Sequence, residues 1–322
     1  MNSGFVFARA VCASCVAGLA MLLPAQAAGP LVDVQWLGEH INDSRLVIID
    51  LRKKEDFEAG HIPGAVNATY GEFGWRDEVD GVVGQLPDAP KLYVRVGILG
   101  ISQESDVVIV PYGEDGTDIG AGTRVYWTLK VLGHEDVHLL DGGFRSWKQA
   151  GLELETGEVP PETVGPYGGD VDNMSLRIDS ELLQKQIEAG NFIPVDARPY
   201  EQWSGQEKHP KARIPGAIPT ALRLPYEELV DPETGLFRSA EQIEAVAKKY
   251  GLELDGKKPL AAYCNTGHWA SIAWFALSEV VGRKNVKLYD GSMVAWTQDS
   301  DRPLINAPTR LEQLIERILG GG

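Results

Sequence analysis

The feature that most constrains the fold is an internal repeat. Val47–Ala65 reads VIIDLRKKEDFEAGHIPGA, and Ile193–Ala217 reads IPVDARPYEQWSGQEKHPKARIPGA. Each is an apolar run that ends in Asp-x-Arg, continues through a polar stretch and reaches Ile-Pro-Gly-Ala. Further along, His138–Trp147 (HLLDGGFRSW) matches Lys287–Trp296 (KLYDGSMVAW), so the motifs recur in the same order. A chain built from two copies of one unit predicts two similar domains.

Short apolar runs alternate with helical patterns in each copy. This alternation predicts an α/β fold in which each domain is a mostly parallel sheet with helices on both faces. The expected strands are Leu46–Ile49, Val107–Val110, Val137–Leu140, Phe192–Val195, Leu260–Tyr263 and Val286–Tyr289. A further helix over 270–281 would pack on the sheet through Ile272, Phe275, Ala276 and Val280.

The amino-terminal residues have the layout of a secretory signal peptide. Arg9 precedes an apolar run over 10–23, and the small-residue pattern Ala25-Gln26-Ala27 follows. The run is short for a transmembrane helix, although an uncleaved anchor stays open as an alternative. We therefore expect residues 1–27 to be removed, leaving an exported and most simply periplasmic protein without stable membrane insertion.

The rest of the chain is long enough for two domains. A stretch rich in proline, glycine and acidic residues, without periodicity, is typical of a linker. The predicted organisation is a first domain over 28–153, the linker over 154–174 and a second domain over 175–322.

Charge and cysteine content exclude several classes of function. A net charge of −16 argues against nucleic acid as a partner and against binding to anionic lipid, because both need a cationic surface. Cys12 and Cys15 lie in the leader, which leaves Cys264 alone in the mature chain. One cysteine and six scattered histidines give no metal-site spacing, so neither a metal nor another cofactor is expected.

Cys264 lies where an expected strand ends and a glycine-containing loop leads into a helix. Ligands of parallel α/β units collect at such strand ends. Gly267 would let the loop curl so that its backbone N–H groups face an anion, and a thiolate is an anion. The position therefore predicts a nucleophilic thiol, and an inert buried cysteine is the alternative.

The chain resembles the two-domain rhodanese-type sulfurtransferases over essentially its whole mature length. FEAGHIPGA and Asp-Gly-Gly-x-x-x-Trp resemble recurrent motifs of that family, and CNTGHWA resembles its active-site loop. The resemblance implies that Cys264 is catalytic and takes sulfur from thiosulfate or 3-mercaptopyruvate as a persulfide. The loop formed by Asn265, Thr266, Gly267, His268, Trp269 and Ala270 would bind substrate and persulfide. The implied partners are a small-molecule donor and an acceptor such as cyanide or a thiol, including a thiol protein.

The first copy lacks the thiol. Counted from the shared Ile-Pro-Gly-Ala, the cysteine position falls on Tyr112, whose hydroxyl cannot replace a thiolate. The resemblance therefore implies a non-catalytic amino-terminal domain that forms one wall of an interdomain cleft.

Several positions depart from the family pattern. Asn265 and Thr266 are neutral, whereas thiosulfate-specific members have basic residues there, so the donor stays open. The family's substrate-binding arginine falls on Gln202, and Arg213 in the KHPKAR segment is the candidate anion contact instead.

Other residues near the motifs receive separate predictions. His268 either binds an anionic substrate or points to solvent, and Trp269 is expected to pack between the domains. Asp196 and Arg198, like their counterparts Asp50 and Arg52, are expected to be structural, tying strand ends to loops.

Two other functions are compatible with a reactive cysteine on this fold. A cysteine phosphatase needs Cys-x5-Arg to clamp phosphate, but Ala270 occupies the sixth position after Cys264. A non-turnover sulfur carrier of the cell envelope would need only the persulfide, and the sequence does not exclude it.

Overall fold

The structure is a computed structural model and describes residues 28–160, 165, 167–168 and 173–308. The expected leader (1–27), part of the expected linker and the segment after residue 308 lie outside the described residues.

The first domain is a parallel five-stranded sheet with helices on both faces. The strand order is β1-β7-β6-β2-β3. Its strands are β1 (Leu31–Val32), β2 (Leu46–Asp50), β3 (Val66–Asn67), β6 (Asp106–Val110) and β7 (Val137–Leu140), and a hairpin adds β4 (Asp77–Val79) and β5 (Val82–Gln85). Its helices are α1 (Val34–His40), α2 (Lys54–Ala59), α3 (Ala89–Ile98), α4 (Gly116–Val131) and α5 (Gly143–Gln149).

The second domain repeats this plan with a parallel four-stranded sheet in the order β11-β10-β8-β9. Its strands are β8 (Ile193–Asp196), β9 (Leu222–Arg223), β10 (Leu260–Tyr263) and β11 (Val286–Leu288). Its helices are α6 (Ser180–Glu188), α7 (Tyr200–Trp203), α8 (Ala240–Lys249), α9 (Trp269–Phe275) and α10 (Ser292–Trp296), with 3-10 turns at Met174–Leu176 and Tyr226–Glu228. The expected fold class is confirmed.

The central strands are apolar on both faces because helices cover both sides of each sheet. All four residues of β10 are buried, and so are Val107–Val110 of β6. The expected helix over 270–281 is present over 269–280, but only α9 is α-helical, since the segment Ala276–Val280 continues as a π-helix.

Helices α4 and α9 join the two domains. Tyr126 of α4 meets the ring of Phe275 edge-on, with ring centroids 4.8 Å apart, and donates a hydrogen bond to Glu279 (2.9 Å). Thr123 and Ser271 share a buried hydroxyl–hydroxyl hydrogen bond of 2.7 Å. One hydrophobic core therefore runs from the first sheet through both helices to the second. Because α4 covers one face of α9 and the sheet the other, every residue of Ala270–Phe275 is buried.

The hairpin β4–β5 reaches from the first domain into the second. Asp80 and Gly81 both adopt positive φ, as a two-residue hairpin turn with the right twist requires. Val82 is buried in a cluster otherwise made by the second domain, including Tyr289 and Trp296. Just after the hairpin, the amide of Leu86 donates to Asp290 (2.8 Å). Among the described residues, no helix is both long and apolar enough to span a bilayer.

Candidate active site

The register of β8 and β10 brings the second Asp-x-Arg motif beside the cysteine loop. Asp196 pairs with Tyr263, the residue before Cys264. The buried Arg198 guanidinium donates to both carboxylate oxygens of Asp196 (2.9 and 2.6 Å) and to the carbonyl of Gly216 (2.9 Å). The pair thus holds the end of β8 against the Ile-Pro-Gly-Ala segment, and Tyr263 donates a further hydrogen bond to Asp196 (2.6 Å).

The first domain contains a similar pair, but its arginine bonds the chain just before the first Ile-Pro-Gly-Ala segment rather than within it. Arg52 donates to Asp50 (2.7 Å) and to the carbonyl of Gly60 (2.8 Å), and both side chains of the pair are buried. Because each pair consists of a charged donor and a charged acceptor with nearly complete hydrogen bonding, its geometry suits a structural tie.

The residue equivalent to Cys264 in the first domain is Pro111, which corrects the expectation of Tyr112. Asp50 pairs with Val110 as Asp196 pairs with Tyr263, so the next residue in each copy is Pro111 or Cys264. Their carbonyls also make matching hydrogen bonds, to the amides of Phe144 and Met293. Counting from Ile-Pro-Gly-Ala is off by one because the intervening segments differ in length. The first copy still lacks a thiol at this strand end.

Ser292 organises the cysteine loop from beneath. Its Oγ accepts hydrogen bonds from the amides of Cys264 (3.0 Å) and Gly267 (3.2 Å), and donates to the carbonyl of Tyr289 (2.7 Å). Ser292 is fully buried and has a φ of +48°, a backbone conformation that residues with a Cβ rarely adopt. The first domain has Gly143 here, where a Cβ would approach the carbonyl O of Pro111 to 2.5 Å. A serine at position 143 would therefore clash with the backbone of Pro111. At position 292 the cysteine loop curls around the serine and bonds its Oγ.

Cys264 faces a cavity of about 550 Å³ between the domains. Its residue surface is 1 % exposed, yet it lines this cavity, and it is the one free cysteine of the described residues. The second domain also contributes Asn265, Thr266, His268, Trp269 and His209 to the wall. The first contributes Lys53, Tyr70, Arg76, Thr117 and Asp118, among others.

His268 connects the cysteine loop to the first domain. Its Nε2 lies 2.6 Å from the carbonyl O of Thr117, which can only accept, so Nε2 carries the proton. Its Nδ1 therefore accepts from the hydroxyl of Tyr70 (2.9 Å). Burial, followed by the positive charge of Arg76, lowers the pKa of His268 to about 3. His268 is thus a neutral tie between the domains, and its ring does not point freely into solvent. It also lines the cavity, so its binding of an anionic substrate stays a prediction.

Arg124 of α4 lies buried behind the same loop. Its Nη1 donates to the carbonyl of Gly267 (3.3 Å), and its Nη2 lies 3.8 Å from Asp290. Arg177 supplies a closer partner for Asp290, at 2.8 Å. Gly267 has φ +72, and a Cβ there would stand 2.5 Å from Arg124 Nη1, so glycine is needed for this approach.

The remaining loop residues are held mainly by the second domain. Asn265 donates to Gln202 (2.7 Å), and Ala270 is completely buried. The Trp269 ring stacks on Tyr226 with centroids 4.7 Å apart, and its Nε1 reaches Thr117 of the first domain (3.4 Å). Trp269 therefore touches both domains.

Arg213 lies elsewhere, which corrects its expected contact with an anion at Cys264. Its guanidinium donates to the carbonyl of Gln298 (3.0 Å), and its amide donates to Thr297. Arg213 does not line the cavity, because the loop that carries it packs against the end of α10. The described residues contain no cluster of three or more histidine, cysteine or carboxylate side chains that could hold a metal ion.

Sequence reasoning missed the residues that the first domain brings to this site. Tyr70, Arg76 and Thr117 lie in no local motif. Tyr70 and Thr117 contact His268, and Arg76 lines the same cavity, only because the two domains pack together. Arg124 could have been singled out from the sequence, because it is a lone cation within an otherwise uncharged stretch of α4.

Comparison with known proteins agrees with this architecture. The rhodanese-like domain model matches twice, over residues 33–150 and 179–299. The chain is 31% identical over 276 residues to a protein named as a thiosulfate sulfurtransferase from Saccharopolyspora erythraea, covering 83% of this chain and 92% of that one. It is also 31% identical to the 3-mercaptopyruvate sulfurtransferase of Rattus norvegicus, covering 83% and 91%, and to the "Sulfur carrier protein TtuD" of Thermus thermophilus, covering 83% and 93%.

Among solved structures, the fold is similar to that of an anaerobic ergothioneine biosynthesis enzyme from Chlorobium limicola bound to trimethyl histidine. The TM-score is 0.75 at 24% identity, over 87% of this chain and 71% of that chain. With its two matched segments and a relative covered over nine-tenths of its length, the chain belongs to the rhodanese-like domain family as a tandem pair of domains.

Proposed function

We propose that the protein is a sulfurtransferase that carries sulfane sulfur on Cys264. One observation supports this most directly: the free thiol of the described residues lies at a strand end and opens into the interdomain cavity. The names of the sulfurtransferase relatives support the same reaction class.

The chemistry is nucleophilic attack by the Cys264 thiolate on the sulfur of the donor. With thiosulfate, a new S–S bond forms to Cys264, the donor S–S bond breaks, and sulfite leaves with the bonding pair. With 3-mercaptopyruvate, the C–S bond breaks, and the thiol proton moves to the departing carbon to give pyruvate. In both cases Cys264 is left as a persulfide, whose outer sulfur is then attacked by cyanide or a thiol.

The loop residues divide into those that meet the substrate and those that support it. Asn265, Thr266, His268 and Trp269 line the cavity beside the thiol. Gly267 and Ala270 determine the loop path: the first makes room for Arg124, and the second is buried in the core. A phosphatase reaction is disfavoured because Ala270 supplies no guanidinium to clamp a phosphate.

A non-turnover sulfur carrier is the second candidate. One of the relatives is named a sulfur carrier protein, and Cys264 lines a cavity rather than the closed core. In that case the acceptor would be a thiol protein, and Cys264 would hold sulfur until the partner arrives.

We also propose export to the periplasm, supported by the layout of residues 1–27. Cell fractionation and amino-terminal sequencing of the mature protein would test it. A protein recovered from the cytoplasm with its leader intact would contradict it.

The central experiment treats the protein with thiosulfate or 3-mercaptopyruvate and then with cyanide. We expect a gain of one sulfur on Cys264 by mass spectrometry, followed by thiocyanate release. The Cys264→Ser variant should lose both, and its full turnover would exclude the mechanism. A stable persulfide that no small acceptor discharges would instead identify the carrier.

A further inference from the structure

The geometry points to Arg76 as the residue that binds the anionic head of the sulfur donor. The head is the sulfonate group of thiosulfate, which is bonded directly to the transferable sulfur, or the carboxylate of 3-mercaptopyruvate, which two carbon atoms separate from it. Arg76 belongs to the domain that lacks the thiol. This inference rests on the proposed sulfur transfer, and it assigns the recognition of the donor to the first domain.

As far as its described residues go, the catalytic domain supplies no free cation beside Cys264. Asn265 and Thr266 are neutral, and burial, followed by the positive charge of Arg76, lowers the pKa of His268 to about 3, so its ring is neutral as well. The charge of Arg198 is paired with the Asp196 carboxylate, and Arg213 lies outside the cavity. His209 also lines the wall, but burial lowers its pKa, with Lys208 and Lys211 adding to the effect. The charge that matches an anionic donor must therefore come from the other wall.

Arg76 is placed to provide that charge. It is half-buried at the cavity wall, and its guanidinium carbon lies 4.9 Å above the ring of Tyr70. Tyr70 in turn donates to His268 in the cysteine loop. After burial, the charge of Arg76 is the largest contribution to the lowered pKa of His268, so its field reaches the loop. No carboxylate among the described residues forms a salt bridge with Arg76 within 4.0 Å.

The other charged groups of the cavity do not replace Arg76. Lys53 is exposed at the rim, where solvent and salt screen its charge. Glu72 is likewise exposed. Burial raises the pKa of Asp118 to about 6, and its carboxylate accepts hydrogen bonds from three backbone amides of the preceding loop, including that of Tyr112 (3.0 Å). A planar guanidinium also binds an oxyanion through two hydrogen bonds at once, which an ammonium group does not.

The test compares Arg76→Gln with Arg76→Lys and with Arg213→Gln, a cation outside the cavity, in the full chain. We expect Arg76→Gln to raise KM for anionic donors about 10–100-fold, as the loss of a charge-assisted hydrogen bond predicts. Arg76→Lys should recover part of this loss, and Arg213→Gln should match the wild type. Thiosulfate and 3-mercaptopyruvate are assayed separately, so that a shift for one alone identifies which head Arg76 binds.

A neutral donor separates binding from structure. Dimethyl trisulfide carries sulfane sulfur without charge. Attack of the Cys264 thiolate on its central sulfur breaks one S–S bond and releases methanethiolate, which then removes the remaining methylthio group as dimethyl disulfide and leaves the Cys264 persulfide. Arg76→Gln should complete this sequence at the wild-type rate. An equal loss with this donor would show a structural role and overturn the inference. KM values within twofold of the wild type for both anionic donors would also overturn it.

A second readout does not depend on turnover. Sulfite and pyruvate, the product anions, should slow the alkylation of Cys264 by iodoacetamide in the wild type but not in Arg76→Gln. Equal protection of both proteins would contradict the role of Arg76. If the wild type forms no persulfide from any donor, sulfur transfer fails as the function, and this protection assay still decides whether Arg76 binds an anion.

Discussion

Replacing Ser292 with alanine tests how the cysteine loop is held in place. The substitution removes the Oγ that accepts from the amides of Cys264 and Gly267 while keeping the Cβ and its positive φ. A buried donor that loses its acceptor costs about 1–3 kcal/mol, so the two amides together should cost about 2–6 kcal/mol. Thermal unfolding should therefore shift by about 5–15 °C, and turnover should fall because the loop carries the thiol.

Glycine at the same position separates the hydrogen bonds from the backbone strain. Ser292→Gly loses the same acceptor but relieves the left-handed conformation, which costs a residue with a Cβ about 1–2 kcal/mol. It should therefore melt a few degrees above Ser292→Ala. The control is Ser278→Ala. Ser278 Oγ donates to the neighbouring Glu279 on the partly exposed π-helix, so its loss should leave the melting temperature nearly unchanged. A melting temperature of Ser292→Ala within 2 °C of the wild type, with unchanged turnover, would refute the reasoning.

Two further predictions follow from the loop. Because the pKa of His268 is lowered to about 3, the unfolded chain binds a proton between pH 6.5 and 3 that the folded chain does not. The free energy of unfolding should fall on acidification through this window by up to about 1.4 kcal/mol per pH unit, and urea titrations from pH 4 to 7 should show a shallower fall for His268→Gln. Gly267→Ala places a Cβ 2.5 Å from Arg124 and should lower turnover at least tenfold, whereas Gly282→Ala, with φ +75 and no atom within 4 Å, should cost about 1 kcal/mol and leave turnover unchanged. Equal acid slopes, or equal turnover of the two alanine variants, would contradict these expectations.

Short sequence patterns were sufficient to predict the strands and the fold class, because neighbouring residues determine these features. The strand before Cys264 was predictable because Leu260–Tyr263 is a short apolar run, and the structure has a strand over the same residues. The fold class followed from the alternation of such runs with helical patterns. The helix after Cys264 was also predictable, but the change from α-helix to π-helix at Ala276 was not, because apolar spacing does not distinguish the two.

Contacts between distant segments were not predictable from one sequence. Tyr70 and His268 are 198 residues apart, and nothing near either residue indicates that they meet. Arg213 was chosen because it lies in a basic segment near the repeat motif, but that segment packs against the end of α10. Pro111 was missed because the repeats were aligned by their motifs, whereas strand pairing fixes which residues are equivalent.

The hairpin β4–β5 makes the loop that carries Cys264 depend on the domain that has no thiol. Gly84 has φ +87, and a Cβ there would stand 2.7 Å from the carbonyl O of Thr266, so the hairpin backbone touches the cysteine loop itself. Val82 has its buried environment in the second domain, and Asp290 finds one of its donors in Leu86 of the first. Losing the copy without a thiol would expose one side of the loop that carries the thiol.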